Sequence, residues 1–178
     1  KSSGRNGYRF FSPELTETAA ERVQVQEILA HALDQGELRL VYQPVVSLDG
    51  GAITGLEASV RLPHPQRGLL EPEAFMDAVQ GTQLMARIAD WTLAEACRQA
   101  AEWERAGLDP GRVVVRVAGA QLSRTDLAAT VERVLADTGL EPGRLELDLP
   151  EAAIAGQAEP FRATLNRIRD LEIGRAHV

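Results

Sequence analysis

The segment from Val41 to Leu62 constrains the fold more than any other part of this sequence. Within it, Asp49, Gly50 and Gly51 separate two runs that are rich in β-forming residues, and Asp-Gly pairs favour the tight turns of hairpins. Successive side chains on a strand point to opposite faces, so the second run is predicted to have one polar and one apolar face. The polar face carries Gly55, Glu57, Ser59 and Arg61, and the apolar face carries Leu56, Ala58, Val60 and Leu62. The hairpin therefore displays a carboxylate and a guanidinium opposite a face that is predicted to be buried.

Strand-like and helical patterns alternate after the hairpin, which predicts an α/β fold. Strands are predicted at 112–118 and 145–149, and helices at 82–106, 125–138 and 159–171. A further helix before the hairpin begins at Ser12-Pro13 and ends near Gly36. Strands that alternate with helices imply βαβ units and a mostly parallel sheet. Residues 63–68 contain two prolines and a glycine and are predicted to form a loop.

Composition narrows the classes of protein to which the chain can belong. Its 178 residues, 44% hydrophobic and 25% charged, suffice for one domain with a sizeable core. The net charge of -7 argues against a nucleic-acid polymer as partner. Cys97 is the single cysteine, so an intrachain disulfide is excluded and a cytoplasmic location fits. Because it lies within an apolar helical row, Cys97 is predicted to be a small buried residue. No apolar run reaches the length of a membrane span, although an anchor elsewhere in a longer parent protein is compatible with the sequence.

Four motifs in order resemble the opening of an EAL domain, the bacterial family that hydrolyses cyclic di-GMP. They are YQPVV at 42–46, GLEASVRL at 55–62, PHPQRG at 63–68 and PEAF at 72–75. The resemblance implies an incomplete, modified (β/α)8 TIM-type barrel with a leading antiparallel hairpin, of which about four strands are present. It also implies a phosphodiesterase activity, with Mg²⁺ or Mn²⁺ as cofactor. Within these motifs two residues depart from the family: Ser59 replaces its leucine, and Leu62 replaces its tryptophan.

The resemblance also predicts how the chain is divided. Residues 1–11, KSSGRNGYRFF, resemble the end of a GGDEF (diguanylate cyclase) domain, the usual upstream neighbour of an EAL domain. A linker helix is predicted at 12–36 and a truncated EAL-like domain at 37–171. Residues 172–178, EIGRAHV, match the translation of a common sequencing adapter and are predicted to be a non-native tail, with a genuine short C-terminus as the alternative. The expected partners are cyclic di-GMP, the upstream GGDEF domain and a second copy in a homodimer.

Two glutamates are candidate metal ligands because each lies near the end of a predicted strand. Divalent ions that promote phosphodiester hydrolysis bind carboxylate and amide oxygens, and barrel enzymes carry such ligands at the C-terminal ends of strands. By resemblance, Glu57 is the metal-binding glutamate of the EAL triplet. Glu151 matches the glutamate of the family's ITE motif, with Pro150 in place of threonine. The alternative is that both are solvated carboxylates at strand ends.

Gln43 and Arg61 match family positions that contact the dinucleotide, and the arginine is suited to phosphate because it forms paired, charge-assisted hydrogen bonds. Alternatively, both are polar strand residues at a barrel mouth. His64 lies between two prolines in the predicted loop and is interpreted as structural, not as a catalytic base.

Arg116 stands where the family places an asparagine that supplies an amide oxygen to the metal. A guanidinium has no acceptor and stays charged in proteins, so Arg116 is predicted to form ion pairs with Glu57 and Glu151 in place of a metal. Two functions remain open: a metal-dependent cyclic di-GMP phosphodiesterase, and a non-catalytic nucleotide-binding or protein-interaction module that regulates a neighbouring domain. The second is favoured, and this chain is predicted to be inactive, because of four departures from the family pattern: Ser59, Leu62, Arg116 and Pro150.

Overall fold

The computed structural model describes residues 13–117, 127–149 and 159–174. Five α-helices and five strands lie in these ranges. The helices are α1 (Pro13–Asp34), α2 (Met76–Val79), α3 (Gln83–Arg105), α4 (Leu127–Thr138) and α5 (Glu159–Asp170). The strands are β1 (Arg39–Val46), β2 (Ile53–His64), β3 (Gly68–Leu70), β4 (Arg112–Arg116) and β5 (Leu145–Asp148). The predicted GGDEF-like segment at 1–11, together with Pro150 and Glu151, lies outside the described residues.

The strands form one mixed sheet in the order β1-β2-β4-β5, with β3 attached to β2. Strand β2 is antiparallel to β1 and parallel to β4, and β4 is parallel to β5. The predicted leading hairpin and the parallel strands that follow it are both confirmed. Beyond α5, Gly174 makes a parallel bridge to Glu146. The prediction of a non-native tail at 172–178 stays a prediction.

The turn between β1 and β2 lies where the Asp-Gly-Gly sequence predicted it. The Ser47 amide donates to the Ala52 carbonyl at 2.9 Å, and the Gly51 amide donates to the Ser47 carbonyl at 2.9 Å. The register that follows places Gln43 directly opposite Glu57. Because opposed residues share a face of the sheet, these two side chains project on the same side.

Two hydrophobic cores cover the sheet on the side of the helices. The first, which we call the α3–α4 core, contains Cys97, Val113, Val115, Val131 and Leu147. The second, the α1–α2 core, contains Leu29, Val60, Leu62, Phe75 and Ile88. The apolar face of β2 enters both, Ala58 in the first and Val60 and Leu62 in the second, as predicted. Leu56 is half-buried and belongs to neither core, so the predicted burial of this face is wrong at its first residue.

The predicted loop at 63–68 is shorter than expected. Strand β2 continues to His64, and β3 pairs with it through Leu62–Leu70, Pro63–Leu69 and His64–Gly68. Proline cannot donate to a strand ladder, but it is tolerated on a strand whose N–H side is not needed for pairing. The turn itself is only three residues long, because the His64 Nδ1 atom accepts from the amides of Gln66 and Arg67, both at 3.2 Å. This contact gives His64 a structural role in the turn.

Helix α3 is the longest element next to the sheet and begins and ends as predicted. The Thr82 hydroxyl accepts from the Met85 amide at 3.4 Å, which caps the first turn, and Ala106 ends the helix. Cys97 on this helix is fully buried, and burial raises the pKa of its thiol to about 12. In the described part of the chain, no helix is both long and apolar enough to cross a membrane.

Candidate functional site

A cavity of about 450 Å³ lies at the edge of the sheet where β2, β4 and β5 run toward their C-terminal ends. Its apolar wall comes from α2 and α3 and includes Met76, Met85 and Ile88. Its polar wall comes from the strands and the turn before α2: Ser59, Glu73, Arg116 and Asp148. Ligand sites in proteins combine apolar walls with a few polar groups in this way. The cavity is therefore the strongest candidate for a ligand site in the described residues.

Arg116, the last residue of β4, joins two acidic side chains from the neighbouring strands. Its Nη2 atom lies 3.1 Å from Glu57 Oε1, and its Nε donates to Asp148 Oδ2 at 3.0 Å. The backbone register explains the second contact, because Arg116 and Asp148 are directly paired between β4 and β5. The Arg116 side chain is 70% exposed, so the bridge faces open space at this edge.

The two carboxylates stabilise the charged form of Arg116. The hydrogen bond with Asp148 raises the pKa of the guanidinium most, desolvation lowers it, and the charge of Glu57 raises it further. An arginine is charged at every physiological pH even without such help. The predicted ion pair between Arg116 and Glu57 is present, while its predicted second partner, Glu151, lies outside the described residues.

Gln43 and Arg61, the predicted nucleotide contacts, lie on the same face as Glu57. Gln43 is exposed and directly opposite Glu57, whereas Arg61 is four residues further along β2, about 13 Å away at the usual rise of a strand. The Arg61 guanidinium donates to Ser59 Oγ at 2.6 Å and lies 3.8 Å from Glu71 Oε1. Its side chain is 17% exposed, so it is held in place but still reachable. The structure thus brings Gln43, Glu57 and Arg116 together. Arg61 lies on the same strand as Glu57, four residues further toward its C-terminal end.

The arrangement of these residues does not fit a divalent ion at Glu57. Mg²⁺ and Mn²⁺ need several oxygen ligands, and the nearest neighbour of Glu57 in the bridge is a guanidinium, which repels cations and offers no lone pair. Within the described ranges, no group of three or more His, Cys, Asp or Glu side chains is placed to hold a metal. The predicted role of Glu57 as a metal ligand therefore stays a prediction.

Asp148 is the site residue that reasoning from the sequence missed. The alternation of Leu145, Leu147 and Leu149 places Asp148 on the opposite face of its strand, and the register puts Arg116 on that same face. Finding the pair required the register between two parallel strands that are far apart in sequence, which no local pattern encodes. Glu73 belongs to the PEAF motif but was not predicted as a site residue. It lines the cavity, and its charge helps to raise the pKa of Arg116.

Comparison with known proteins gives this site its context. Residues 26–175 match the family described as EAL domain. The chain is 33% identical over 98% of its length to MucR of Pseudomonas aeruginosa, described as a bifunctional diguanylate cyclase/cyclic di-GMP phosphodiesterase. It is 35% identical over 97% of its length to NbdA, a cyclic di-GMP phosphodiesterase of the same bacterium. The chain spans 25% and 22% of the lengths of these two relatives.

Solved structures support the same family. PaMucR phosphodiesterase in its c-di-GMP complex superposes with a TM-score of 0.79 and 32% identity, covering 85% of this chain and 62% of that one. The similarity confirms the α/β fold with its TIM-like barrel arrangement.

Proposed function

Because this chain belongs to the EAL domain family, we propose that it is a cyclic di-GMP-binding regulatory domain that does not hydrolyse its ligand. Two relatives are described as cyclic di-GMP phosphodiesterases, and a similar solved structure contains c-di-GMP. These facts support the nucleotide as ligand. The loss of hydrolysis is proposed for this chain from its own site residues.

One observation carries the proposal: the Glu57 carboxylate contacts the Arg116 guanidinium at 3.1 Å. Hydrolysis of a phosphodiester near neutral pH relies on a cation that activates water and neutralises developing charge. A carboxylate that is already paired with a fixed positive group has lost much of its attraction for a second cation. With Arg116 in this position, the site lacks a means of activating water but keeps its positive groups for an anion.

The placement of Arg61 and Gln43 supports a dinucleotide as the ligand. An arginine forms charge-assisted, paired hydrogen bonds with phosphate oxygens, and Arg61 is oriented by Ser59. The Arg61 and Arg116 guanidinium groups are two separate positive groups next to the polar face of β2, which suits a ligand with two phosphates. The apolar wall of the cavity offers a surface for a flat base.

An active phosphodiesterase is the alternative, and one observation favours it. The Arg116 side chain is 70% exposed, so it has room to leave Glu57 when a metal and a substrate arrive. Glu151, the second predicted ligand, would then complete the site from outside the described residues.

Turnover and binding measured on the same sample of the full-length protein separate these functions. We expect saturable binding of cyclic di-GMP. With Mn²⁺ present, we expect chromatography to detect no linear dinucleotide product above the buffer blank. Arg61→Ala should weaken binding about tenfold or more, the cost of a lost charge-assisted contact. Arg105→Ala is the matched control, because Arg105 ends α3 at the opposite end of the sheet. Release of linear product by the unaltered protein would contradict the proposal.

Three further assignments remain part of the proposal. The parent protein carries a GGDEF domain upstream, it acts in the cytoplasm, and it forms a homodimer. Each follows from the resemblance or from composition. Mass photometry of the full-length protein with and without nucleotide tests the dimer.

A further inference from the structure

The contacts of Arg116 with Glu57 and Asp148, which we call the Arg116 bridge, lie on the strand side of the candidate site. Glu57 on β2 and Asp148 on β5 come from strands that both neighbour β4, and Arg116 lies between them. Asp148 lines the cavity and Glu57 lies next to it in the bridge, and these two carboxylates repel each other and any anionic ligand. Some positive group must offset them before a phosphate can approach.

Arg116 has the chemistry to supply that positive group from the protein itself. A guanidinium carries five N–H donors, and the contacts to Glu57 and Asp148 involve Nε and Nη2. Among the described residues, other donors of this guanidinium therefore remain on the exposed side of a group that also lines the cavity. The fork of an arginine suits a phosphate as well as it suits a carboxylate.

Its place in the cavity wall separates Arg116 from arginines that only tie elements together. Arg144 links Glu104 and Asp109 at 2.8 and 2.7 Å, and its side chain is 33% exposed, whereas that of Arg116 is 70% exposed. Arg112, at the other end of β4, pairs with Glu146 at 3.5 Å and lies outside the cavity wall. Among these bridging arginines, Arg116 is the one that presents its charge to the cavity.

From this geometry we infer that Arg116 acts as a built-in counter-cation, which makes nucleotide binding independent of divalent metal by neutralising Glu57 and Asp148 and donating to a ligand phosphate. This inference rests on the proposed binding function. It adds a specificity residue and a metal response that the proposed function alone does not require. No bond is made or broken in this role.

It follows that nucleotide binding, which does not depend on metal in the unaltered protein, should depend on metal once Arg116 is replaced by asparagine. In Arg116→Asn the two carboxylates are uncovered, so phosphate binding without metal weakens. The same change removes the repulsion of cations and adds an amide oxygen, so a divalent ion can now enter. Added metal should then restore nucleotide binding in the variant while leaving the unaltered protein unchanged.

The experiment is an equilibrium titration of full-length protein with fluorescent cyclic di-GMP, in EDTA and in Mn²⁺. We expect the unaltered protein to have the same affinity in both within about twofold, and Arg116→Asn to lose about tenfold or more in EDTA and to recover in Mn²⁺. Arg112→Asn, on the same strand and also in an ion pair, should behave like the unaltered protein. Arg116→Lys keeps the charge and should remain insensitive to metal, which preserves the test if the asparagine variant folds poorly.

A calorimetric titration with Mn²⁺ alone keeps this inference separate from the proposed function. We expect no metal binding by the unaltered, nucleotide-free protein and measurable binding by Arg116→Asn. Nucleotide binding that requires Mn²⁺ in the unaltered protein, or an unchanged affinity of Arg116→Asn in EDTA, would overturn the inference and leave the proposed function standing. If no sample binds cyclic di-GMP, the proposed function fails, and the metal titration still decides whether Arg116 excludes the ion.

Discussion

Gly111 lies against the backbone of β2, and this close approach fixes where β4 begins. A Cβ atom on Gly111 would lie 2.4 Å from the Thr54 carbonyl oxygen, and the residue has a φ of 71°, which side chains rarely adopt. Gly111→Ala should therefore lower the free energy of unfolding by about 2 kcal/mol or more, the usual cost of a strained backbone with a steric clash. Chemical denaturation of the full-length protein measures the change.

Gly143 provides the control for this substitution. A Cβ atom there meets nothing within 4 Å, and its backbone is not in the left-handed region. Gly143→Ala should change the stability by less than about 0.5 kcal/mol. Equal effects of the two substitutions would mean that β4 does not approach β2 as described.

Cys97 predicts a specific dependence of stability on pH. Burial raises the pKa of its thiol from 9.0 to about 12, so the folded state holds the proton more tightly than the unfolded state does. The associated stability is fully present below pH 9.0 and is lost as the pH rises toward about 12. The melting temperature of the unaltered protein should therefore decrease more steeply with pH across this window than the melting temperature of Cys97→Ala. Rapid thiol labelling of the native protein at pH 8 would contradict the burial.

Helix α1 is part of the folded unit from Arg22 onward. Leu29 is fully buried in the α1–α2 core, and the Arg22 and Gln26 side chains donate to the carbonyls of Asp77 and Ala78 at the end of α2. Leu29→Ala should destabilise the domain by about 2 to 5 kcal/mol through the cavity that it leaves. Val23→Ala on the same helix, where the side chain is 53% exposed, should change little. Similar melting temperatures for both variants would show that α1 is only a connector.

Elements whose signals are local could be predicted from the sequence. Alternation defined the polar and apolar faces of β2, and Thr82 at the start and Gly107 just after Ala106 marked the two ends of α3. Strand β3 was missed because three residues carry too little pattern, and its pairing with Pro63 depends on partners brought together by the fold. The same limit explains the site: Arg116 was recognised from its position in a motif, but its bond to Asp148 depends on a register between distant segments.

The sheet as a whole has two open edges in the described residues. Strand β1 pairs only with β2, and β5 pairs with β4 and makes a single bridge to Gly174. The tip of the hairpin also exposes large apolar side chains, those of Val46, Leu48 and Ile53. Unpaired edges with apolar neighbours are sites of aggregation, and a barrel abolishes them by closing.

Residues 1–178 expressed alone are therefore expected to self-associate. Size-exclusion chromatography with light scattering should show oligomers or aggregates that grow with concentration, and thermal unfolding should lack a sharp transition. The full-length protein in the same buffer is the control. A monomeric fragment with a cooperative melt would show that the open edges are tolerated.

The proposed function requires that Arg116, and not a metal ion, supplies the positive charge next to Glu57 when divalent metal is added to the full-length protein. Crystals of the full-length protein soaked in Mn²⁺ and measured at a wavelength sensitive to manganese give the answer in one anomalous difference map. We predict that Arg116 contacts Glu57 and Asp148, and that no manganese peak lies at the coordination distance of about 2.1 Å from Glu57. A manganese ion bound to Glu57, with the Arg116 side chain turned away, would contradict it.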